Sequence, residues 1–354
     1  MESANSVVIT IGEIVVDWIS TDIGLGFKES TEFHRALGGN ATNVSVAVSR
    51  LGGSSRLIAK IGADLHSDLV RTKLIEEKVD LDFLYVDSKY PTANCYGIRD
   101  ASDEAIYYNW PKPNAALMLC EDDITYDAFN GASFIHATGI SLTIEPRKTA
   151  VLKALEMARS KSVLVSFDAS FPTDSLDSID DAKEAMLLAD LIKINLTELL
   201  YWTGLPENSV AKHLADLRQA NFALSDPNVA ELKNAIDAFM KNYTPIAVLL
   251  TFGPHGSMVV TEKFAVYSAP IAVESICSIG AGDAYIGAVM FCLTERQVNK
   301  QTILNFSESE WQQVATFANA VGALATKHVS AVGSLPTKYE VEQLLNVDRA
   351  NAAR

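Results

Sequence analysis

Three observations predict an α/β protein whose mostly parallel sheet is covered by helices on both faces. Apolar strand-like runs alternate with helical segments along most of the chain. Hydrophobic residues make up 48% and charged residues 21% of the 354 residues, the profile of a folded chain with a large core. Two glycine-rich turns each open a helix. The length fits one large domain or two ordinary ones.

The elements follow in order. Residues 7–16 form an apolar run bounded by Gly12 and Asp17, read as the first strand. Residues 40–51 have helical spacing and end at Gly52-Gly53, a C-terminal stop. Strands are expected over 55–61, 133–138, 163–168, 191–195 and 246–251, the last by its unbroken apolar character. Helices are expected over 66–77, 145–159 and from Leu196 onward. Two stretches break the alternation. Residues 17–37 carry turn signals and few helix signals. Residues 81–110 carry short runs, at 83–86, 94–98 and 105–108, that read as antiparallel strands outside the main sheet. Residues 207–241 read as a helical surface insertion with a break near Ser225-Asp226-Pro227.

Composition excludes several classes. Lys and Arg number 29 against 44 Asp and Glu, a formal net charge of −15. Nucleic-acid binding needs a basic stripe that this chain lacks. A local cluster of backbone N–H groups still permits an anionic substrate. The four cysteines (Cys95, Cys120, Cys277, Cys292) form no Cys-x-x-Cys pair, which argues against zinc and thioredoxin-like sites. No apolar stretch approaches the roughly 20 residues of a membrane span. No basic leader precedes the first strand. A cytoplasmic protein with no membrane or nucleic-acid partner is expected.

The strongest chemical signal is Ser278-Ile279-Gly280-Ala281-Gly282-Asp283 before an apolar helix. Gly280 and Gly282 free the backbone for a sharp turn and for close approach of a ligand. The first amides of the helix lack intrahelical partners and make an anion site. Asp283 would repel a phosphate bound there, unless it serves as base for a hydroxyl attacking phosphorus. The alternative is an ordinary helix cap. No Gly-x-x-x-x-Gly-Lys-Ser/Thr is present, and the dinucleotide glycine spacing fails. The second signal is Gly38-Gly39-Asn40-Ala41-Thr42-Asn43 opening the helix at 40–51. Asn40 and Asn43 offer donors and acceptors suited to sugar hydroxyls, or Asn40 simply caps the helix.

Together and in this order, the two motifs resemble the ribokinase-like, or PfkB, family of carbohydrate kinases. The resemblance covers about residues 7–336. Gly62-Ala63-Asp64, Asn195-Leu196-Thr197-Glu198, the turn from Thr251 to Ser257 and Phe317-Ala318-Asn319-Ala320 add to it. It implies one kinase domain over 1–354, a Rossmann-type αβα sandwich with a small β-sheet lid from about 17–37 and 81–110. It implies ATP and Mg²⁺, with Asp283 as base and the Gly280, Ala281 and Gly282 amides stabilising the transferred group. It places Asp17, Gly38, Gly39, Asn43, Tyr108 and Asp168 around the sugar. Asn195, Thr251, Gly253, Gly256 and Asn319 fall on the nucleotide side, and Glu198 acts on Mg²⁺ through water. A homodimer through the lid is a further implication. The chain departs from the family where Cys277-Ser278 replaces Asp-Thr and Ser330-Ala331 replaces Gly-Ala. A thiol is a poor ligand for K⁺, which argues against K⁺ activation.

The fructokinase and 2-keto-3-deoxygluconate kinase branches are nearest in pattern. Asn109 and Pro172 stand where those branches often carry arginines, and only Arg35 or Arg99 would replace them. A neutral sugar such as fructose is the expected substrate. 2-Keto-3-deoxygluconate, a nucleoside, or a catalytically inactive binding subunit are the alternatives.

Overall fold

The computed structural model describes residues 6–99, 105–170 and 179–352. The chain begins with β1 (Val7–Ile11), β2 (Val15–Ile23), β3 (Phe33–Gly38), α1 (Asn40–Arg50), β4 (Ser54–Gly62) and α2 (Leu65–Glu76). It continues with β5 (Leu84–Asp87), β6 (Asn94–Arg99), β7 (Ala105–Trp110), β8 (Ala132–Thr138), α3 (Arg147–Ser160) and β9 (Leu164–Asp168). Then come α4 (Ile179–Leu188), β10 (Leu191–Asn195), α5 (Leu196–Thr203), α6 (Val210–Gln219), α7 (Ala230–Tyr243) and β11 (Ala247–Thr251). The last elements are β12 (Ser257–Val260), β13 (Ala265–Ser268), α8 (Ala281–Glu295), α9 (Glu308–Ala325) and α10 (Lys338–Ala352).

Among the described residues, nine strands form the main sheet in the order β13-β12-β11-β10-β9-β8-β1-β4-β5. From β5 to β11 every neighbouring pair is parallel, and β12 and β13 close one edge antiparallel. Helical crossovers cover both faces, as parallel strands demand. Alternation along β1 divides the core. Val8 faces the cluster built on α1, α8 and α9, while Ile9 and Ile11 face the cluster built on α3, α4 and α7. A second sheet of four strands, β3-β2-β6-β7, stands apart. Its outer pairs are antiparallel and its central pair, β2 with β6, is parallel.

Three expectations change. Residues 7–16 are not one strand. β1 stays in the main sheet, and after Gly12 the chain crosses to β2 in the smaller one. The run at 83–86 lies in the main sheet as β5, parallel to β4 with Ala59 opposite Leu84. Helix α2 supplies the crossover that a parallel neighbour requires. The 207–241 segment is not confined to the surface, because α7 buries Leu232, Ile236 and Phe239 in the second core.

Candidate active site

The two glycine-opened helices meet at their N-terminal ends. Gly280 caps α8 with φ +76°, a left-handed conformation that L side chains rarely adopt. Asp283 lies in the first turn of α8, and its Oδ2 accepts a hydrogen bond of 2.8 Å from Asn43 Nδ2 on α1. Both side chains are buried, and the two residues are 240 positions apart in sequence. One turn further along both helices, a Cβ added at Gly287 would fall 2.8 Å from the Cβ of Ala47. The absence of a side chain there lets α1 and α8 approach closely enough for the Asn43–Asp283 bond. The amide oxygen of Asn43, Oδ1, is buried without a partner among the described residues, an acceptor awaiting a donor.

Burial pushes the Asp283 carboxyl up to about 7. The Asn43 hydrogen bond and the Lys193 ammonium oppose that rise, and the Asp168 and Glu13 carboxylates add to it. Lys193 lies mid-strand in β10, opposite Asp168 at the end of β9, with Nζ 2.9 Å from Asp168 Oδ2. Burial alone would lower the lysine's pKa, but Asp168, Glu198 and Asp283 outweigh it and keep the ammonium charged. Asn195 and Glu198 make a reciprocal cap at the start of α5. Asn195 Oδ1 accepts the Glu198 amide at 2.9 Å, and Glu198 Oε2 accepts the Asn195 amide at 2.8 Å. Burial raises the Glu198 carboxyl, against the pull of Lys193.

Asp17, on β2 of the smaller sheet, lies against Gly38 at the turn that opens α1. Its carboxyl is buried and pushed up to about 7 by that burial, and no hydrogen bond among the described residues reaches it. A Cβ added at Gly38 would lie 1.9 Å from Asp17 Oδ2. Gly38 therefore makes room for the carboxylate, and Gly39 (φ +94°) lets the backbone turn against the Glu13 carbonyl. Asn40 does not cap α1. Its amide donates to Glu13 Oε1 at 3.0 Å, so the first turn is held by a carboxylate from the β1–β2 junction. Glu13 Oε2 accepts from Ser141 Oγ at 3.1 Å and lies 3.6 Å from the buried Arg147 guanidinium.

Strand register corrects the aromatic assignment. Tyr108 pairs with Tyr96, which pairs with Trp18, so these three share the face opposite Asp17. Tyr107 shares the face of Asp17. Its phenol is pushed above its usual range by burial first, then by Asp17, Cys277 and Cys95. On the other flank, Thr251 ends β11 and Gly253 (φ +57°) has open space around it. Gly256 (φ +87°) is pressed against the Ser268 carbonyl, where a Cβ would fall at 2.3 Å. Asn319 spends its side chain on the protein. It accepts from Ser257 Oγ at 2.8 Å and donates to the Ser268 and Ala269 carbonyls at 3.0 Å each. It fixes the shape of this flank without presenting a donor to it.

Asp283 and Asn43 meet directly and Lys193 joins Asp168 and Glu198 to them, with Asp17 against Gly38 at the turn that opens α1, while Tyr108 and Asn319 point elsewhere. Sequence reasoning missed Glu13 and Lys193, and it left Tyr107 with Tyr108 as residues that line or pack the lid. Each of the two missed residues is a lone charge inside an apolar strand run, the signal that would have flagged them. Pro172 lies outside the described residues, as does the side chain of Asn109. Arg35 stacks over Trp18 at 5.6 Å, on the face away from Asp17. Arg99 stands at the far end of β6, where its amide donates to Ser20 Oγ. Among the described residues, no group of three or more His, Cys, Asp or Glu side chains is arranged to hold a metal ion. None of their helices is long and apolar enough to cross a membrane.

Known proteins resemble this chain along nearly its whole length. The description "pfkB family carbohydrate kinase" matches residues 5–338. The chain is 29% identical to fructokinase-1 of Zea mays over 351 residues, covering 98% of this chain and 99% of that one. It is 28% identical to fructokinase-2 of Solanum lycopersicum over 347 residues, with 97% of each covered. Among solved structures, a fructokinase with bound ATP from Xylella fastidiosa superposes with a TM-score of 0.82 at 22% identity, covering 98% of this chain and 99% of that one. A fructokinase from Vibrio cholerae O395 with fructose, ADP and calcium ion bound gives 0.77 at 24% identity, covering 97% and 100%. These likenesses establish the fold.

Proposed function

The chain belongs to the pfkB family of carbohydrate kinases, and on that premise we propose that it transfers the γ-phosphoryl group of ATP to a hydroxyl of fructose. The reaction class, phosphotransfer to an alcohol, comes with the family. The choice of fructose is supported by the full-length plant fructokinase relatives. The observation that carries the chemistry is the buried Asn43–Asp283 contact, which sets a carboxylate at an anion-binding helix end.

In this reading Asp283 takes the proton of the attacking hydroxyl. A carboxyl pushed up to about 7 is matched to that task near neutral pH. The amides of Gly280, Ala281, Gly282 and Asp283 meet the charge on the transferred group. Asp17 and Asn43 Oδ1 accept hydrogen bonds from the sugar, and Gly38 and Gly39 leave the room. Thr251, Gly253 and Gly256 shape the nucleotide side, with Asn195 at its border and Asn319 fixing it from behind. Mg²⁺ fits the hard oxygen donors present. One Glu198 oxygen is taken by the Asn195 amide, which leaves the other to reach the ion through water. The bound ion would neutralise phosphate charge.

The smaller sheet acts as a lid that carries Asp17 over the sugar and excludes water. Its outer face presents Phe27 (55% exposed) and Tyr108 (50% exposed) beside Tyr96, an apolar patch suited to a second copy of the chain. A cytoplasmic location belongs to the same reading. K⁺ independence does too. Cys277 is buried with its amide on the Thr326 carbonyl, and Ser330 Oγ accepts the Gly333 amide.

The test is ADP release from Mg·ATP across fructose, other neutral sugars, 2-keto-3-deoxygluconate, ribose and nucleosides. Fructose should respond most strongly. A stronger response from 2-keto-3-deoxygluconate or a nucleoside would overturn the substrate assignment. The neutral sugar is favoured because Arg35, one of two arginines available for a carboxylate, lies on the wrong face of the sheet.

A further inference from the structure

We propose that Lys193 is a catalytic residue of the transfer, its ammonium donating a hydrogen bond to an oxygen of the γ-phosphoryl group, with Asp168 holding it in place. The inference rests on the kinase reading above and on four observations.

The side chain is enclosed, with 7% exposure, and its partner Asp168 has 2%. The ammonium carries three donors and no acceptor. Asp168 takes contacts at 2.9 Å and 3.2 Å, and no other protein acceptor among the described residues hydrogen-bonds to the ammonium. One donor is left over in a buried place, where an unspent charge-bearing donor calls for a ligand. The direction of the ammonium is given by Gly282. A Cβ built there would lie 3.0 Å from Lys193 Nζ and 3.5 Å from its Cε. The positive charge therefore lies against Gly282, in the first turn of α8. The helix end and the ammonium favour negative charge at one spot.

Stability alone does not account for the pair. A buried ion pair is a weak stabiliser compared with well-packed apolar residues of the same volume. Asp168 was expected to contact the sugar. Its two oxygens are instead engaged by Lys193, so its role becomes that of a positioning residue. In the transfer, the sugar hydroxyl gives its proton to Asp283, and the sugar oxygen bonds to the γ-phosphorus. The bond from that phosphorus to the β–γ bridging oxygen breaks, and its electron pair leaves with ADP. Lys193 keeps all its protons and stabilises the charge on the moving group.

The experiment compares wild type with Lys193→Met, Lys193→Arg and the double variant Lys193→Met/Asp168→Asn. It measures kcat, both KM values, and affinity for ADP and for ADP with Mg²⁺, aluminium fluoride and sugar. Lys193→Met should lower kcat by about 10²–10³-fold, the scale of removing one preorganised donor. Its affinity for ADP alone should stay within about threefold, while the tightening produced by aluminium fluoride disappears. Lys193→Arg should recover part of kcat. The double variant removes the carboxylate stranded by the single change, and should fold normally yet remain as slow as Lys193→Met. Three results would overturn the proposal. These are near-normal turnover in Lys193→Met, an undiminished aluminium fluoride effect, or recovery of wild-type turnover in the double variant. The last would mean that Lys193 only neutralises Asp168. Wild-type turnover over the sugar panel is the separate control on substrate, so a wrong sugar and a wrong lysine give different outcomes.

Discussion

Asp283 and Asp17 are both buried carboxyls pushed up to about 7, yet they sit in opposite surroundings. Asp283 belongs to the main sheet's helix layer. Asn43 bonds to it, and Lys193, Asp168 and Glu13 act on its charge. Asp17 sits on a four-stranded sheet, backed by a glycine and without a hydrogen bond among the described residues. Asp283, the base proposed above, is fixed by its neighbours before any ligand arrives. Asp17, proposed to recognise hydroxyls, keeps its lone pairs unspent, so on that reading the ligand supplies what the protein withholds. Pre-organisation and vacancy are divided between two sheets.

The largest effect should come from breaking the fixed side. Asp283→Asn keeps the shape and removes the base, so kcat should fall by about 10²–10⁴-fold with little change in the far-ultraviolet spectrum. Near-normal turnover would sink the base assignment. Breaking the vacant side should act on affinity instead. Gly38→Ala places a methyl on the Asp17 carboxylate, and Asp17→Asn removes its charge. Either should raise the sugar KM by about 10–100-fold, the worth of hydrogen bonds to a charged group, with ATP KM unchanged. A loss confined to kcat would place Asp17 with the catalytic group.

A pH series sharpens the comparison further. Both carboxyls must be ionised, so kcat/KM should rise with pH through about 7. The acid limb should lose one of its two proton steps in Asp17→Asn. Stability should run the other way. Each folded-state pKa lies above the ordinary value of 3.8, so the folded state binds more protons across that window. That contribution is complete below about 4 and is lost as pH rises through about 7. Thermal melts from pH 4 to 8 check the sign, and a rising contribution from wild type relative to the double Asn variant would contradict it. A smaller effect is expected at the outer face of the vacant side. Phe27→Ser should shift the sedimentation profile toward monomer while leaving kcat within about twofold. The smallest is at the segment that joins β13 to α8. Replacing Na⁺ by K⁺ should change turnover by less than about twofold, because Cys277 offers sulfur where a hard cation needs oxygen.

How much of this was legible follows from the range of each signal. The parallel alternation, the two glycine turns and most element positions are local patterns, readable from a few neighbouring residues. The run at 83–86 misled because period-2 patterning does not say which sheet a strand joins; α2 decided that. Tyr107 and Tyr108 are indistinguishable in sequence, since one step of register selects the face. Asp168 and Lys193 meet only because β9 and β10 are neighbours, a fact of strand order. Glu13 bonds to Asn40 across the crossing between the sheets, a pairing that no spacing rule announces. Asn319 was expected on the nucleotide side, but its donors are committed to backbone carbonyls at the end of β13, which no local pattern shows.

The contact between Ala47 and Gly287 has a consequence for how this sequence is able to drift. Neither residue is chemically reactive, and in a substitution table both look like exchangeable small core positions. Their separation nevertheless sets the gauge for the Asn43–Asp283 bond one turn away, because both helices are stiff over that distance. A single methyl at position 287 would widen the crossing and lengthen that bond without touching a reacting atom. The two sites can change only as a pair that conserves their combined bulk. On the proposed mechanism turnover is thus constrained at positions that no inventory of functional groups would single out, and the silent part of the helix interface matters to the reaction as much as the base it positions.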